Sequence, residues 1–450
     1  MRGDGRVHGG AGSCLLLALP WLAACDDLAD RGLVARAGDW TLTEERLAEL
    51  LVLAQPFPLD SAAVHEVASH WVGTAALVLR SAAGDSLLGS EALEAGMWLD
   101  RREALLTADR EARLGTGAEV EAASAAEVFN EGDLRLVAHT LRRAGPGASS
   151  SERLRQQRVA ERLLATLVEG GSWDGAVAES EDAETRGAAG LLGLFARSEL
   201  PSTLDRVVFR LEPGQVSAVT QSSEGFHILY RPRYEEVGSL YREQLRQRRL
   251  AEADAVANGE ERVSRGFAML PGAVTVLGRM AGEPVKWLGS AQPLAEWEGG
   301  RLTASVVARY LLYFPAQSLA ELAAAGEEAR VTLIQDLGTR ELRLGDAAAR
   351  EGLLSPAIDE ALVRTHADEI EYWHTALELG TPDSPSRAAL GRYMESLVSR
   401  QTDGRSLPPL LKAWLLARTD HRVRARGVLA AIVIARGMLA ETGGGAGSGR

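Results

Sequence analysis

The sequence predicts an α+β chain, with a small antiparallel sheet and its surrounding helices at the centre, between arms that are mainly α-helical. Three observations predict it. Apolar residues recur at helical spacing on both sides of the centre, as in Leu47, Leu50, Leu51 and Ala54, and again in Val307, Tyr310 and Leu311. Residues 134–141 alternate instead, setting Leu134, Leu136 and Ala138 against Arg135, Val137 and His139, as a strand does. Glycine punctuates the same central region at Gly170-Gly171, through 187–193 and at Pro213-Gly214.

The elements follow in order. Arg2 and Arg6 give a basic start, Cys14 to Leu22 is an apolar run too short to span a bilayer, and Ala23 and Ala24 supply a small-residue exit. This is the layout of a signal peptide over residues 1–24. Leu22-Ala23-Ala24-Cys25 resembles the lipobox of bacterial lipoproteins. That resemblance implies lipid on Cys25 and a protein tied to a membrane of the cell envelope, inner or outer. Cys14 would leave with the signal, so no disulfide and no cysteine metal site is expected in the rest.

Residues 25–33 read as a tether. Val34 to Leu42 reads as a short strand and turn, and a helix follows, with Thr41 or Thr43 as N-cap and Glu44 and Glu45 in its first turn. Helix-like sequence continues to about Asn130, with breaks at Pro56-Phe57-Pro58 and around Gly115, which defines an N-terminal helical arm of 34–130. Residues 131–237 hold the alternating strand, a helix over 152–169, a short helix over 202–210 and a closing strand at His227 to Tyr230. Helical pattern resumes at 238–265 and returns at 301–353 and 384–440, giving a C-terminal helical region of 238–440 before a glycine-rich tail at 441–450. Within that region Leu294 to Leu312 follows the layout of Val34 to Val52 at an offset of 260. Any strand–turn–amphipathic helix has this layout, so duplication and chance similarity both stay open.

The 450 residues, 46% of them hydrophobic, leave room for two to four domains. A spread net charge of −13 excludes nucleic acid as a partner, because phosphates demand a basic surface. His65-Glu66 with His70 lacks the spacing of a zinc-binding helix, and His366 and His374 lie among carboxylates, as on a solvated face. No metal and no cofactor is expected.

The chemistry concentrates in the centre. His139 ends the first strand, and Trp173 follows Gly170-Gly171. Then come Ser180-Glu181-Asp182, Ala189-Gly190-Leu191-Leu192-Gly193, the apolar Leu200, Leu204 and Phe209, Leu211-Glu212-Pro213-Gly214-Gln215-Val216-Ser217, and Gly225-Phe226-His227-Ile228. In this order the landmarks resemble those of the parvulin-type peptidyl-prolyl isomerases over 131–237. The barrier to rotating an Xaa-Pro bond, ~18–20 kcal/mol, comes from amide resonance. An enzyme for that rotation needs an apolar slot for the ring and a polar framework that tolerates the twisted carbonyl. The resemblance assigns Leu192, Leu200, Leu204 and Phe209 to the slot. It makes His139, Asp182 and His227 the catalytic set, with the histidines as a paired floor and Asp182 beside the carbonyl.

The whole layout resembles the SurA-like and PrsA-like exported foldases, whose helical arms cradle unfolded clients. It implies unfolded or partly folded exported proteins with Xaa-Pro bonds as partners. Three positions depart from the family pattern: Ala189 replaces its first Gly, Leu191 its Asp, and Glu224 a frequent aromatic. Leu191 and Glu224 favour an alternative, a holding chaperone that uses the parvulin-like domain only to bind peptide.

Overall fold

The computed structural model of the chain describes residues 32–115, 122–350, 352–381, 385–400 and 405–444. The signal peptide, the lipobox with Cys25, most of the tether and the end of the tail lie outside the described residues. The chain gathers into two compact units, one holding residues up to Leu106 and from Ala268 onward, the other Thr107–Phe267.

The first unit opens with β1 (Leu33–Ala37), β2 (Trp40–Thr43) and α1 (Glu44–Leu53). Thr43, rather than Thr41, is the N-cap, and its hydroxyl accepts the Arg46 N–H at 3.1 Å. Leu47, Leu50 and Leu51 are buried, as their spacing predicts. α2 (Ser61–Ala82), capped by Asp60, and α3 (Ser90–Leu114) follow.

The second unit continues with α4 (Ala122–Glu131), β3 (Arg135–Arg143), α5 (Ser150–Val168), α6 (Trp173–Ala178), α7 (Ala183–Arg186), β4 (Leu191–Phe195), α8 (Ser202–Val208), β5 (Thr220–Gln221), β6 (Gly225–Tyr230) and α9 (Tyr234–Ser264). Its four strands form an antiparallel sheet in the order β4-β3-β6-β5. β3 runs on to Arg143, so His139 sits in mid-strand rather than at its end. The reason is burial on both faces. Leu136 packs with Phe129, Tyr241 and Leu245 from α4 and α9, while Val137 packs with Leu204, Val208, Phe209 and Leu229. With both faces covered, alternation fades past His139 and the end of the strand is masked. β4 is masked in the same way. Leu191 and Leu194 face the α4/α9 side, and Leu192 and Phe195 face the α8 side.

The chain then returns to the first unit with β7 (Ala268–Met269), α10 (Ala273–Gly282), a 3₁₀ turn at Pro284–Trp287, β8 (Pro293–Trp297), β9 (Gly300–Thr303), α11 (Ala304–Leu311), α12 (Ala316–Ala324), α13 (Glu327–Ala348), α14 (Pro356–Ala376), α15 (Arg387–Val398), α16 (Pro409–Leu416), β10 (His421–Val423) and α17 (Ala425–Gly444). The echo at offset 260 has a structural counterpart, pair for pair. Ala35 opposes Leu42 and Ala37 opposes Trp40 in the first hairpin, and Ala295 opposes Leu302 and Trp297 opposes Gly300 in the second. Both hairpins shift register at the same place, between Leu33 and Ala35 and between Pro293 and Ala295. Thr303 caps α11 as Thr43 caps α1. Each hairpin also takes a third strand on its first strand, giving the orders β10-β1-β2 and β7-β8-β9.

The third strand of the first hairpin comes from the far end of the described chain, with Ala35 opposite Val423 and Ala37 opposite His421. α17 then lays Val428, Ala431, Ile432 and Ala435 into the core that holds Leu47, Leu50 and Leu51. Gly427 permits this approach, since a Cβ there would stand 2.4 Å from the Leu33 carbonyl oxygen. Segments expected as separate N- and C-terminal arms therefore share one core, in which β1 and α1 pack with residues 421–444. His366, expected on a solvated face, is instead buried; a Cβ on Gly96 would fall 2.1 Å from its ring.

Candidate active site

β3 and β6 carry the centre of the site. In their antiparallel register His139 opposes Leu229, and Leu141 opposes His227. The two histidines are thus diagonal neighbours on one face of the sheet, close enough for long side chains to meet. Their rings stack at 5.3 Å between centroids, with Nδ1 to Nδ1 at 3.1 Å. Gly225 lets β6 start tight against β3. Its φ is +150°, and a Cβ there would lie 2.1 Å from the Arg142 carbonyl oxygen.

The pair is held at both ends. Asp182 caps α7, and its Oδ2 lies 2.9 Å from His139 Nε2. The Thr185 hydroxyl donates to the same oxygen at 3.0 Å. The Ser180 hydroxyl oxygen holds the loop to β3 by accepting the Leu141 N–H at 3.1 Å and the Asp182 N–H at 3.3 Å. At the other end His227 Nε2 lies 2.7 Å from the Ser222 hydroxyl, which accepts the Glu224 N–H at 3.0 Å.

Charge fixes the direction of this chain of bonds. Burial acts to raise the Asp182 pKa, but bonds from His139 and Thr185 outweigh it and hold the carboxyl below its ordinary range. An ionised Asp182 only accepts, so His139 donates from Nε2 and, being neutral, accepts at Nδ1. His227 must then donate from Nδ1 and accept at Nε2 from Ser222. Burial lowers the His139 pKa against the pull of Asp182. Burial, and then the neighbouring His139, push His227 down to about 4. Near pH 7 both rings are neutral, and the array from Asp182 to Ser222 has every donor matched to an acceptor.

The slot lies beside this floor. Leu204 and Phe209 are buried in one cluster with Val137 and Leu229, and Leu192 and Leu200 pack against it half-buried. Val137 precedes His139 by two on the same face of β3, and Leu229 is its register partner, so slot and floor adjoin. The Arg197 and Arg135 guanidiniums lie 4.6 Å and 5.4 Å from the Phe209 ring centroid and hold it by cation–π attraction. The structure thus brings together His139, Asp182, His227, Leu192, Leu200, Leu204 and Phe209.

Sequence reading missed Thr185 and Ser222. Thr185 was legible as the residue three after the Asp182 cap. Ser222 offered only a hydroxyl in a turn, which is common in any hairpin. Of the departures, Leu191 packs half-buried against the core on the α4/α9 side, where an Asp would be partly desolvated. Ala189 adopts φ +52°, and its carbonyl oxygen accepts the Trp173 Nε1–H at 2.9 Å. Arg142 and Arg143, which follow the site on β3, are engaged by acidic neighbours. Arg142 pairs with Glu181 at 2.8 Å, and Arg143 lies 3.5 Å from Asp182.

An antiparallel sheet carrying a buried histidine pair, an aspartate-capped loop and an apolar slot under a short helix has the make-up of a parvulin-type domain. The sequence profile of the PPIC-type PPIase (rotamase) domain family matches residues 139–232, and the chain carries a parvulin domain of that type. Chaperone SurA of Methylobacillus flagellatus is 39% identical over 94 residues, 21% of this chain and 21% of that protein. The peptidyl-prolyl cis-trans isomerase pin1 of Schizosaccharomyces pombe is 40% identical over 58 residues, 13% of this chain and 33% of that protein. The match therefore spans a third or less of the length of these curated relatives. Among solved structures, PrsA from Bacillus subtilis aligns with a TM-score of 0.24 at 18% identity, over 49% of this chain and 80% of its own.

Proposed function

We propose that this chain is a peptidyl-prolyl cis-trans isomerase and folding chaperone for exported proteins, acting on Xaa-Pro bonds of unfolded clients. The observation that carries the reading is the satisfied Asp182–His139–His227–Ser222 array beside the slot of Leu192, Leu200, Leu204 and Phe209. The proline ring enters the slot, and the carbonyl of the residue before it swings over the polar floor. At the top of the barrier the amide is twisted and its oxygen has lost delocalised charge. A floor of neutral, mutually bonded imidazoles suits that oxygen and needs no covalent step. A thousandfold acceleration asks for about 4 kcal/mol of preferential binding to the twisted state. Asp182 acts as a positioning residue through His139, and Ser222 does the same through His227. Lipid on Cys25 would hold the protein at a membrane of the cell envelope, in the periplasm or its equivalent. A Cys25→Ser variant that keeps its acyl label would refute the anchor.

The test is the cis–trans exchange rate of a proline tetrapeptide with the full chain. Wild type should exceed the uncatalysed rate, and Asp182→Ala and His139→Ala should each lower it by at least about tenfold, a loss of about 1.4 kcal/mol of preferential binding. A wild-type rate at background would refute the enzyme. The second reading, a holding chaperone, draws on Leu191, which packs half-buried and leaves the loop without the family's carboxylate. In that case light scattering would show suppressed aggregation of a denatured client without isomerase activity.

A further inference from the structure

The larger unit contains a cavity of about 300 Å³, at the lower end of the ~300–1,000 Å³ typical of small-ligand sites. None of its lining residues belongs to the proline site. α2 forms one wall, presenting Glu66, His70, Gly73 and Thr74 at helical spacing, and α16 forms another with Lys412 and Leu416. Val285, Leu312 and Leu407 make the rest of the lining largely apolar. The titratable groups in the lining are Glu66, His70 and Lys412.

The fold makes room for the lysine. Its stem crosses α2 at Gly73, where a Cβ would stand 3.0 Å from Lys412 Cε and 3.3 Å from its Cγ and Cδ. Burial lowers the Lys412 pKa, and the opposing charge that acts on it is Glu66, an exposed side chain. Burial, and then the charge of Lys412, push His70 down to about 4, so this ring is neutral. His70 Nε2 lies 3.4 Å from the Tyr393 hydroxyl, and the Thr74 hydroxyl donates to the His70 carbonyl at 2.9 Å. The cavity therefore holds one partly desolvated cation, no carboxylate deeper than the rim, and apolar walls.

We propose that this cavity binds an apolar monocarboxylate, with the carboxylate on the Lys412 ammonium and the tail against Val285, Leu312 and Leu416. An ammonium already drawn out of water gains more from a carboxylate than one in bulk solvent, and apolar walls give a neutral tail the remaining affinity. A phosphate would bring two charges to a single cation. An amine would meet Lys412 as a like charge. A free aliphatic acid and the C-terminus of a peptide ending in an apolar residue share the chemistry that fits.

The experiment is calorimetric titration of the full chain with hexanoate, hexanol, and an acetylated peptide ending in Ala-Ala-Leu as either free acid or amide. Hexanoate should bind and hexanol should bind at least about tenfold more weakly, the scale of one desolvated charge pair. Lys412→Met should remove that preference. Binding of hexanoate alone assigns the site to small acids, while binding of the peptide acid but not its amide extends it to chain termini. Equal binding of hexanoate and hexanol to wild type, or no binding of any carboxylate, overturns the proposal. The wild-type comparison decides even where Lys412→Met fails to fold, and no arm depends on isomerase activity.

Discussion

The four strands of the 107–267 unit come from one continuous stretch, Arg135 to Tyr230, whereas the sheet around β1 joins Leu33–Thr43 to His421–Val423, from opposite ends of the described chain. The buried polar groups differ as well. In the 107–267 unit His139, Asp182 and His227 answer one another in a directed array. In the larger unit buried Thr74, His366 and Thr419 each bond to a backbone carbonyl instead. The contrast teaches where each unit is vulnerable. A contiguous unit closes over short loops, and its weak points are single backbone positions that shape the site. A unit closed between chain ends depends on a late segment, and its weak point is that segment.

The largest effect should come from removing residues 421–450. β1 would lose its third strand, and the core would lose Val428 and Ile432, each worth ~1.5–3 kcal/mol when buried. Amide hydrogen exchange should show residues 33–82 unprotected while β3 and β6 stay protected. Gly427→Leu should act in the same direction, because its side chain meets the Leu33 carbonyl oxygen. Retained protection of β1 in the shortened chain would show that the hairpin stands without β10.

Next in size is Gly190→Ala. Gly190 has φ +77°, and a Cβ there would stand 2.5 Å from the His139 carbonyl oxygen and 2.9 Å from Val177 Cγ2. Left-handed backbone and overpacking together should cost about 2–4 kcal/mol, confined to the 107–267 unit. Thermal melting followed through Trp173, the one tryptophan between residues 107 and 267, reads that unit. An unchanged midpoint would mean that β4 and β3 are less closely joined than the His139 N–H to Gly190 carbonyl bond of 2.7 Å requires.

Acid should affect both units, through different histidines. His227 and His70 each fall from an ordinary 6.5 to about 4. Below pH about 6.5 the unfolded chain binds protons that the folded units refuse, so stability is full above that pH and declines as pH falls toward about 4. His227→Asn should flatten this decline in the 107–267 unit and leave it in the larger one. Denaturant midpoints between pH 7 and 4.5 measure it, and an unchanged slope would assign the decline to other groups.

The legibility of the sequence follows the same division. His139, Asp182, His227 and the slot residues were readable because the landmarks around them come in a fixed order within one stretch. Thr185 was missed although its place three after the Asp182 cap was a signal, and Ser222 offered none, since a hydroxyl in a turn serves local backbone bonds in most proteins. In the larger unit a first strand and turn and α1 were readable from period and caps, and the offset of 260 to Leu294–Leu312 was visible, but the second strand of each hairpin was not. The pairing of β10 with β1 was not. His421-Arg422-Val423 is three residues with no apolar pattern, and what specifies it lies in the unpaired edge of a strand nearly four hundred residues earlier.

The smallest effect should come from Ala189→Gly, and it is the sharpest probe of the departures from the parvulin pattern. Ala189 stands where that pattern has glycine and holds φ +52°. For an L-residue that backbone costs roughly 1–2 kcal/mol, while glycine gives back about 0.5–1 kcal/mol through the freer unfolded chain. The net gain, about 0.5–1 kcal/mol, should raise the Trp173-detected midpoint by about 2 °C. The larger unit offers a matched control, because Glu378 also holds a positive φ of 52°. Glu378→Gly should not share the gain in full, since it also removes the ion pair with Arg392 at 2.6 Å. Ala189 differs in having no side-chain partner to lose; its contribution is the carbonyl that accepts the Trp173 indole N–H, and glycine keeps that carbonyl. A lower midpoint for Ala189→Gly would therefore mean that the alanine methyl packs in a way that outweighs its backbone cost. The departure would then be an adaptation of the loop that carries Leu191 and Leu192, rather than a tolerated defect in it.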